Sequence, residues 1–363
     1  MIDLQEISPF SYYISTFMSE NLHPVFVLGV SLVIYFIPLF YLSVAITTYM
    51  GRKTAADVQM RIGPNRVGPF GIFQYVADTL KLFLKQDSVV NNRKAWLHLA
   101  GPVLSIAFTL MAFLSIPVAD QWYLANQKWS LLHVYLLMVA AQLFLFFSAY
   151  TSGNVFGVLS SSRILVAIAG FSVPFLLSIF NIILVSGGSS FVEVLAIQGG
   201  APWKWMLFSY PTTAISFFVM YCSLLIWQGA PPFDILDSEE EIFGGYSVEY
   251  SGSRKWFIEQ LKSLQLILSC YLLTGLFLGG GHFPFNLETF GRGAQAIQSL
   301  FFSLKVFVLV FISYWIRWSL PRTRLNQVIF FSFKVLIPVS IVGFFLTTVW
   351  LALFNGKGIG NLL

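Results

Sequence analysis

The sequence predicts an all-α polytopic membrane protein. About eight transmembrane helices and one amphipathic interfacial helix, in the first cytoplasmic loop, form a single membrane domain over residues 1–363. Three observations carry this. Apolar residues make up 57% of the chain and charged residues 10%, against roughly 25% charged in an ordinary globular domain. The mean hydropathy is +0.76. The apolar residues gather in runs of about 20, the length that crosses a bilayer as a helix.

Those runs place the spans near 24–50, 97–119, 131–152, 163–187, 205–229, 258–281, 299–319 and 329–354. Residues 1–23 are mixed and polar and carry no cleavable signal pattern. No internal repeat is visible, which argues against the repeat construction of many transporters.

Orientation follows from Lys and Arg, which concentrate in cytoplasmic loops. The stretch 51–96 carries eight: Arg52, Lys53, Arg61, Arg66, Lys81, Lys85, Arg93 and Lys94. Arg163 belongs to the third loop, Arg254 and Lys255 to the fifth, and Arg317, Arg322 and Arg324 to the seventh. The even loops and the tail hold Lys128, Lys204, Arg292 and Lys357. Odd loops therefore face the cytoplasm or its equivalent, and both termini lie outside. The net charge of +5 reflects this bias. It forms no aromatic-interleaved basic patch of the kind that binds nucleic acid.

The first cytoplasmic loop opens with Arg61-Ile62-Gly63-Pro64-Asn65-Arg66-Val67-Gly68-Pro69-Phe70. Two Gly-Pro pairs impose a turn that is neither helix nor strand. Arg61 and Arg66 flank that fixed backbone, which suits binding residues better than ordinary positive-inside residues. Residues 70–85 then read as a surface helix. Phe73, Val76, Ala77, Leu80, Phe83 and Leu84 share one face; Gln74, Asp78, Lys81 and Lys85 share the other. It is too short and too charged to span, so it lies at the interface. It either anchors the loop or forms a doorsill for a lipid-soluble molecule.

The fifth loop is acidic. Asp234, Asp237, Glu239, Glu240, Glu241 and Glu249 fall within 234–249 and are six of the chain's sixteen acids. Three readings compete: pairing with basic residues of the first and seventh loops, docking of a basic partner, or a proton relay whose mutual repulsion raises some carboxylate pKa values. The residues alone favour pairing. Within the spans, Lys305 and Lys334 are the clear intramembrane charges, each costing about 2.5–3.5 kcal/mol at a helix centre.

Metal chemistry finds no pattern. Cys222 and Cys270 are far apart inside spans, and His23, His98, His133 and His282 are scattered near span edges. Cluster, zinc and haem sites need ligands gathered at short spacing or on facing spans. Interfacial histidines are the expectation.

Taken together, three separated motifs resemble one family. They are Gln59 to Gly71 followed by Ala77-Asp78 and Leu80-Lys81-Leu82-Phe83; Pro232-Phe233-Asp234 with Glu249-Tyr250-Ser251-Gly252; and Arg317, Leu320-Pro321-Arg322-Thr323-Arg324, Gln327 and Lys334-Val335-Leu336. The chain is similar over most of its length to the membrane quinone-chamber subunit of respiratory complex I. The resemblance implies a subunit of NADH:quinone oxidoreductase with no redox centre of its own and quinone as substrate. It assigns Arg52, Lys53, Arg61, Arg66, Phe70 and Phe233 to the quinone chamber. Asp234, Asp237, Glu239, Glu241 and Glu249 become the coupling acids, and Arg317, Arg322 and Arg324 the loop-pairing arginines. It implies soluble iron–sulfur and quinone-site subunits on the cytoplasmic side as partners, and small and antiporter-like subunits in the membrane. It places the chain in a bacterial inner membrane, with mitochondrial inner or thylakoid membrane as alternatives.

The chain also departs from that pattern. Gly51 stands where the family has Glu before its basic pair, and Gly170-Phe171-Ser172 where it has Ser-Tyr-Glu. Trp227 stands near a further Glu, and Arg324-Leu325-Asn326-Gln327 replaces Arg-x-Asp-Gln. Four acids of the chamber and proton path are thus replaced. The competing assignments are the equivalent subunit of a membrane-bound hydrogenase-type complex and a stand-alone ion transporter. A transporter needs mid-membrane ion ligands or acid-lined unwound helices, and the spans lack them.

Overall fold

The computed structural model describes residues 43–87, 95–119, 122–123, 127–236, 239–284 and 293–354. Most of the expected first span, Arg93, Lys94, Asp237, Arg292 and Lys357 lie outside the described residues. Among the described residues there is no β-strand, only an isolated bridge between Ala119 and Trp122.

Helix α1, Val44–Val58, continues past the expected end at residue 50. Arg52 and Lys53 are therefore helical rather than loop residues. Gly51, Thr54, Ala55 and Ala56 are small and buried, so the helix stays packed on the bundle beyond the apolar run that announced it. Met60, at φ +53°, ends the turn. The Gly-Pro loop then folds on itself: Gly71 N–H donates to Gly68 O at 3.2 Å, and Phe73 N–H to Val67 O at 3.3 Å. A Cβ on Gly71, which sits at φ +79°, would meet the Pro64 carbonyl. The surface helix α2 spans Gln74–Leu84.

Helices α3, Ala95–Leu114, and α4, Ser130–Tyr150, form an antiparallel pair. Gly101 lets them approach: a Cβ there would lie 2.9 Å from Phe144 O. Helix α5, Val155–Ser186, starts eight residues before the expected span. At 32 residues it is about 48 Å long and overhangs the hydrocarbon layer. Its polar first turns, capped by Asn154 Oδ1 accepting from Phe156 N–H at 3.2 Å, escaped an apolar scan. Arg163 consequently lies on a helix. On the outer side a short helix α6, Phe191–Ile197, carries a Ser190–Glu193 capping box.

Helix α7 runs Pro211–Gln228 instead of from 205. Pro211 forces Tyr210 into extended backbone (φ −127°, ψ 114°), so the preceding turn, Met206–Ser209, is a separate helix. Helix α8, Gly252–Phe277, is buried at every residue from Ser263 to Phe277. Helix α9 spans Gly293–Ser319, and α10 spans Leu325–Leu353 with a π turn at Ser332–Leu336.

Among the described residues six helices, α3, α4, α5, α7, α9 and α10, are long and apolar enough to cross a membrane. Of the two other expected spans, the first is described only from residue 43 onward, largely within α1. The other, α8, carries Arg254, Lys255, Glu259 and Lys262 in its first turns. Polar side chains tie the bundle together. Asn181 donates to Ser216, Gln142 Nε2 to Trp227 O at 2.5 Å, and Tyr221 pairs with Ser313 at 2.9 Å. Interhelical bonds of this kind average about 0.6 kcal/mol in membranes. Lys305 of α9 closes the far end of α8: its Nζ donates to Leu278 O at 2.7 Å and Gly280 O at 2.9 Å, between the rings of Trp205 and Phe301.

Candidate functional site

Gln74, Tyr75, Asp78, Thr79 and Leu82 of α2 turn toward the bundle, Lys81 and Lys85 are exposed, and the apolar face turns outward. Phe73, Val76, Leu80, Phe83 and Leu84 are all exposed. Asp78 pairs with Arg52 of α1, and Tyr75 Oη donates to Gln260 of α8 at 2.8 Å. Phe83 leans on Trp256 at 5.2 Å. Tyr49 Oη donates to Phe70 O at 3.0 Å and pins the Gly-Pro loop over α1. Between α1, α2 and α8 lies a cavity of ≈ 40 Å³, walled by Thr48, Arg52, Tyr75, Asp78 and Gln260 among others. That is room for a few waters.

A second, larger cavity of ≈ 180 Å³ lies beneath the fifth loop. It is lined by Gly229, Asp234, Lys262, Tyr314, Arg317 and Arg322. Asp234 and Arg322 face each other at 3.8 Å. Three cations and one carboxylate make this cavity net positive. Both cavities use neighbouring residues of α8, Gln260 for the first and Lys262 and Ser263 for the second.

Among the described residues, three acids of the fifth loop meet three different partners. Glu241 pairs with Arg163 at 2.5 Å, Asp234 faces Arg322, and Glu249 accepts from Asn154 Nδ2 at 2.7 Å. Glu239 and Glu240 begin a one-turn helix, Glu239–Ile242. Asp237 lies outside the described residues. Thr323 ties the seventh loop to the fifth through N–H and O–H bonds to Pro232 O at 2.8 and 2.7 Å.

Among the residues singled out from sequence, Arg52 lines the first cavity, and Asp234, Arg317 and Arg322 line the second. Lys53 lies 5.8 Å from the Tyr49 ring. Arg61 donates to Gln59 at 2.8 Å; Arg61, Arg66 and Phe70 are exposed on the loop. Arg324 occupies the N-cap of α10. Phe233 shares no cavity with Arg52. It stacks on Phe331 at 5.4 Å in a third groove of ≈ 690 Å³.

Two groups escaped sequence reasoning. Tyr75 and Gln260 lie 185 positions apart, and only the polar face of α2 hinted at a partner. His98, expected at the interface, is buried. Its ring stacks on Tyr250 at 4.3 Å, and Tyr250 Oη donates to His98 O at 2.6 Å and contacts Ser148 Oγ. Burial raises the Tyr250 phenol above its ordinary pKa, with the Ser148 bond opposing. This clamp fixes the Glu249-Tyr250 segment against α3 and α4.

A family model described as NADH dehydrogenase matches residues 30–348. The chain belongs to the NADH dehydrogenase family. Its relatives include proteins named as the H subunit of NADH-quinone oxidoreductase. That of Rubrobacter xylanophilus is 31% identical over 303 residues, covering 84% of this chain and 89% of the relative. That of Carboxydothermus hydrogenoformans is 30% identical over 316 residues, 87% of each. That of Desulfotalea psychrophila is 29% identical over 309 residues, 84% and 90%.

In this member of the NADH dehydrogenase family, two of the four positions where the resemblance placed acids, Gly51 and Trp227, are buried in packing, whereas Ser172 is half-buried and Asn326 exposed. Gly51 is buried against the Tyr314 ring. Trp227 is fully buried, its Nε1 donating to Met138 O at 3.1 Å. Ser172 donates to Ala169 O at 3.3 Å, and Asn326 lines the third groove. The helices α3, α4, α5, α7, α9 and α10 contain no Asp or Glu.

Proposed function

We propose that the chain is a membrane subunit of an NADH-quinone oxidoreductase, carrying no redox centre itself and building the wall along which quinone reaches its reductant. The observation that carries the reading is the α2 sill. Its apolar face is exposed, and Arg52–Asp78 and Tyr75–Gln260 fasten its other side to α1 and α8. A quinone tail matches the outer face, and its carbonyl oxygens match the donors behind it. The first cavity is smaller than a quinone ring, so passage needs α2 to move away from α8. Its few polar ties to the bundle suit that motion. The positive second cavity would hold the anionic charge that develops on a reduced head group, with Arg317, Arg322 and Lys262 as donors. Asp234, Asp237, Glu239, Glu241 and Glu249 are the acids through which this chain would communicate with proton-moving neighbours.

In this reading the partners are soluble iron–sulfur and quinone-site subunits on the loop side and small and antiporter-like subunits in the bilayer of a bacterial inner membrane. The family relationship favours this over a hydrogenase-type complex. The acid-free spans disfavour a stand-alone transporter. Thr48→Trp, which fills the first cavity, tests the route. KM for a long-tailed quinone should rise about tenfold. NADH oxidation by a soluble acceptor that draws electrons ahead of the quinone should not change. An unchanged quinone KM in the assembled complex refutes the route.

A further inference from the structure

We propose that the cytoplasmic end of α10 holds the head group of an anionic phospholipid, bound by Lys334 and the groove above it. The site is separate from the two cavities assigned to quinone and does not depend on that assignment.

The argument begins with Lys334. Its neighbours two positions away, Ser332 and Leu336, are buried against the bundle. At 100° per residue, Lys334 therefore points almost directly away from them. It is exposed, and it has no ion-pair partner among the described residues. Its depth can be worked out. Helix α10 has 29 residues, about 43 Å, against about 30 Å of hydrocarbon. The surplus leaves each end overhanging by roughly 7 Å. Lys334 lies nine residues in, about 14 Å along the axis, so its backbone is about 7 Å inside the apolar layer.

A bare ammonium there is costly, and the side chain escapes by snorkelling toward the head groups. Helical side chains lean toward the N-terminus, which in α10 is the cytoplasmic end. The Lys334 Nζ sits 4.9 Å from the ring of Phe330, one turn nearer that surface. The cation is thus presented at phosphate level, facing outward.

What lies above it suits the rest of a lipid. Asn326, Phe330 and Lys334 follow one another at four-residue spacing on one helix face. The first two line the ≈ 690 Å³ groove, whose other walls include Phe233, Pro321 and Phe331. Exposed Arg324 begins the helix at the same surface. Cation, amide and apolar wall in that order match a phosphate with its glycerol and first chain carbons.

The test uses the intact complex reconstituted in phosphatidylcholine nanodiscs containing phosphatidylglycerol. Retained phosphatidylglycerol is counted by native mass spectrometry after extraction. Lys334→Gln should lower retention about fivefold, the effect of one basic residue near an anionic surface, and Lys334→Arg should restore it. A photoreactive benzoylphenylalanine at Phe330 should label lipid. Equal retention in Lys334→Gln overturns the proposal. So does labelling of another protein chain from position 330, which would make this face a subunit interface and remains readable if Lys334→Gln fails to assemble.

Discussion

Gly51→Ala is a small change with a large expected cost. The new Cβ would lie 2.7 Å from Cε1 and Cζ of Tyr314, a ring only 7% exposed. Neither ring nor helix can yield freely, so overpacking should cost about 1–3 kcal/mol. With Tyr314→Ala already present the clash is gone. Alanine then gains the helix propensity that glycine lacks, about 0.8–1.0 kcal/mol. The propensity gain is common to both backgrounds, so the coupling equals the clash, about 1–3 kcal/mol, and where the clash exceeds that gain the substitution changes sign between them. The assay is a double-mutant cycle on the thermal midpoint of the detergent-purified complex, read as the sign and size of the shift in each background. Additivity within about 0.5 kcal/mol refutes the reasoning. The cycle also bears on the acid that the family resemblance placed here. Gly51→Glu should be tolerated beside Ala at position 314 and not beside the native ring.

Tyr250→Phe should lower the same midpoint by the worth of one buried hydrogen bond, about 1–1.5 kcal/mol, because His98 O and Ser148 Oγ lose their shared hydroxyl; an unchanged midpoint would mean the clamp acts through ring stacking alone. Glu193, held below its ordinary pKa by the Ser190 backbone N–H first and the Ser190 side chain next, stabilises α6 above the unfolded carboxylate pKa, and that contribution is lost as pH falls through the lower folded value. Amide protection in 190–197, taken relative to the intrinsic exchange rate at each pH, should therefore fall on acidification, and Glu193→Gln should flatten that response.

Sequence patterning exposed the helices because runs of about 20 apolar residues have few other uses. It misplaced their ends where helices outrun the bilayer. The Ser160-Ser161-Ser162-Arg163 stretch reads as loop by hydropathy, yet Ser160 donates to Leu236 O at 2.8 Å inside α5. The 205 boundary failed because a proline two turns on dictated the break. The Gly-Pro loop and α2 were legible because their signals are local. The ties that make a site of them were not: Arg52 to Asp78, Tyr75 to Gln260 and Arg163 to Glu241 join residues brought together only by tertiary packing. Phe233 shows the same limit. Its motif is close to Asp234 in sequence, but the side chains of the two open into different cavities.

The burial of α8 has a consequence for how the protein is made. A helix entering the bilayer on its own is judged by the polarity it would show to lipid, and Arg254, Lys255, Glu259 and Lys262 weigh against this one, at up to about 2.5–3.5 kcal/mol for each basic residue at mid-membrane. Once folded, the bundle hides Ser263–Phe277, the polar Gln265, Ser269 and Thr274 included, and leaves Lys255, Glu259 and Lys262 exposed at the end of the helix. During synthesis nothing hides that segment. Insertion of α8 must therefore be cooperative, waiting for α1, α3 and α7 to form a receptive wall and for α9 to bring Lys305 to its far end. Truncating the nascent chain after residue 284 should leave α8 poorly inserted, whereas extending it through Ser319 should seat both helices together.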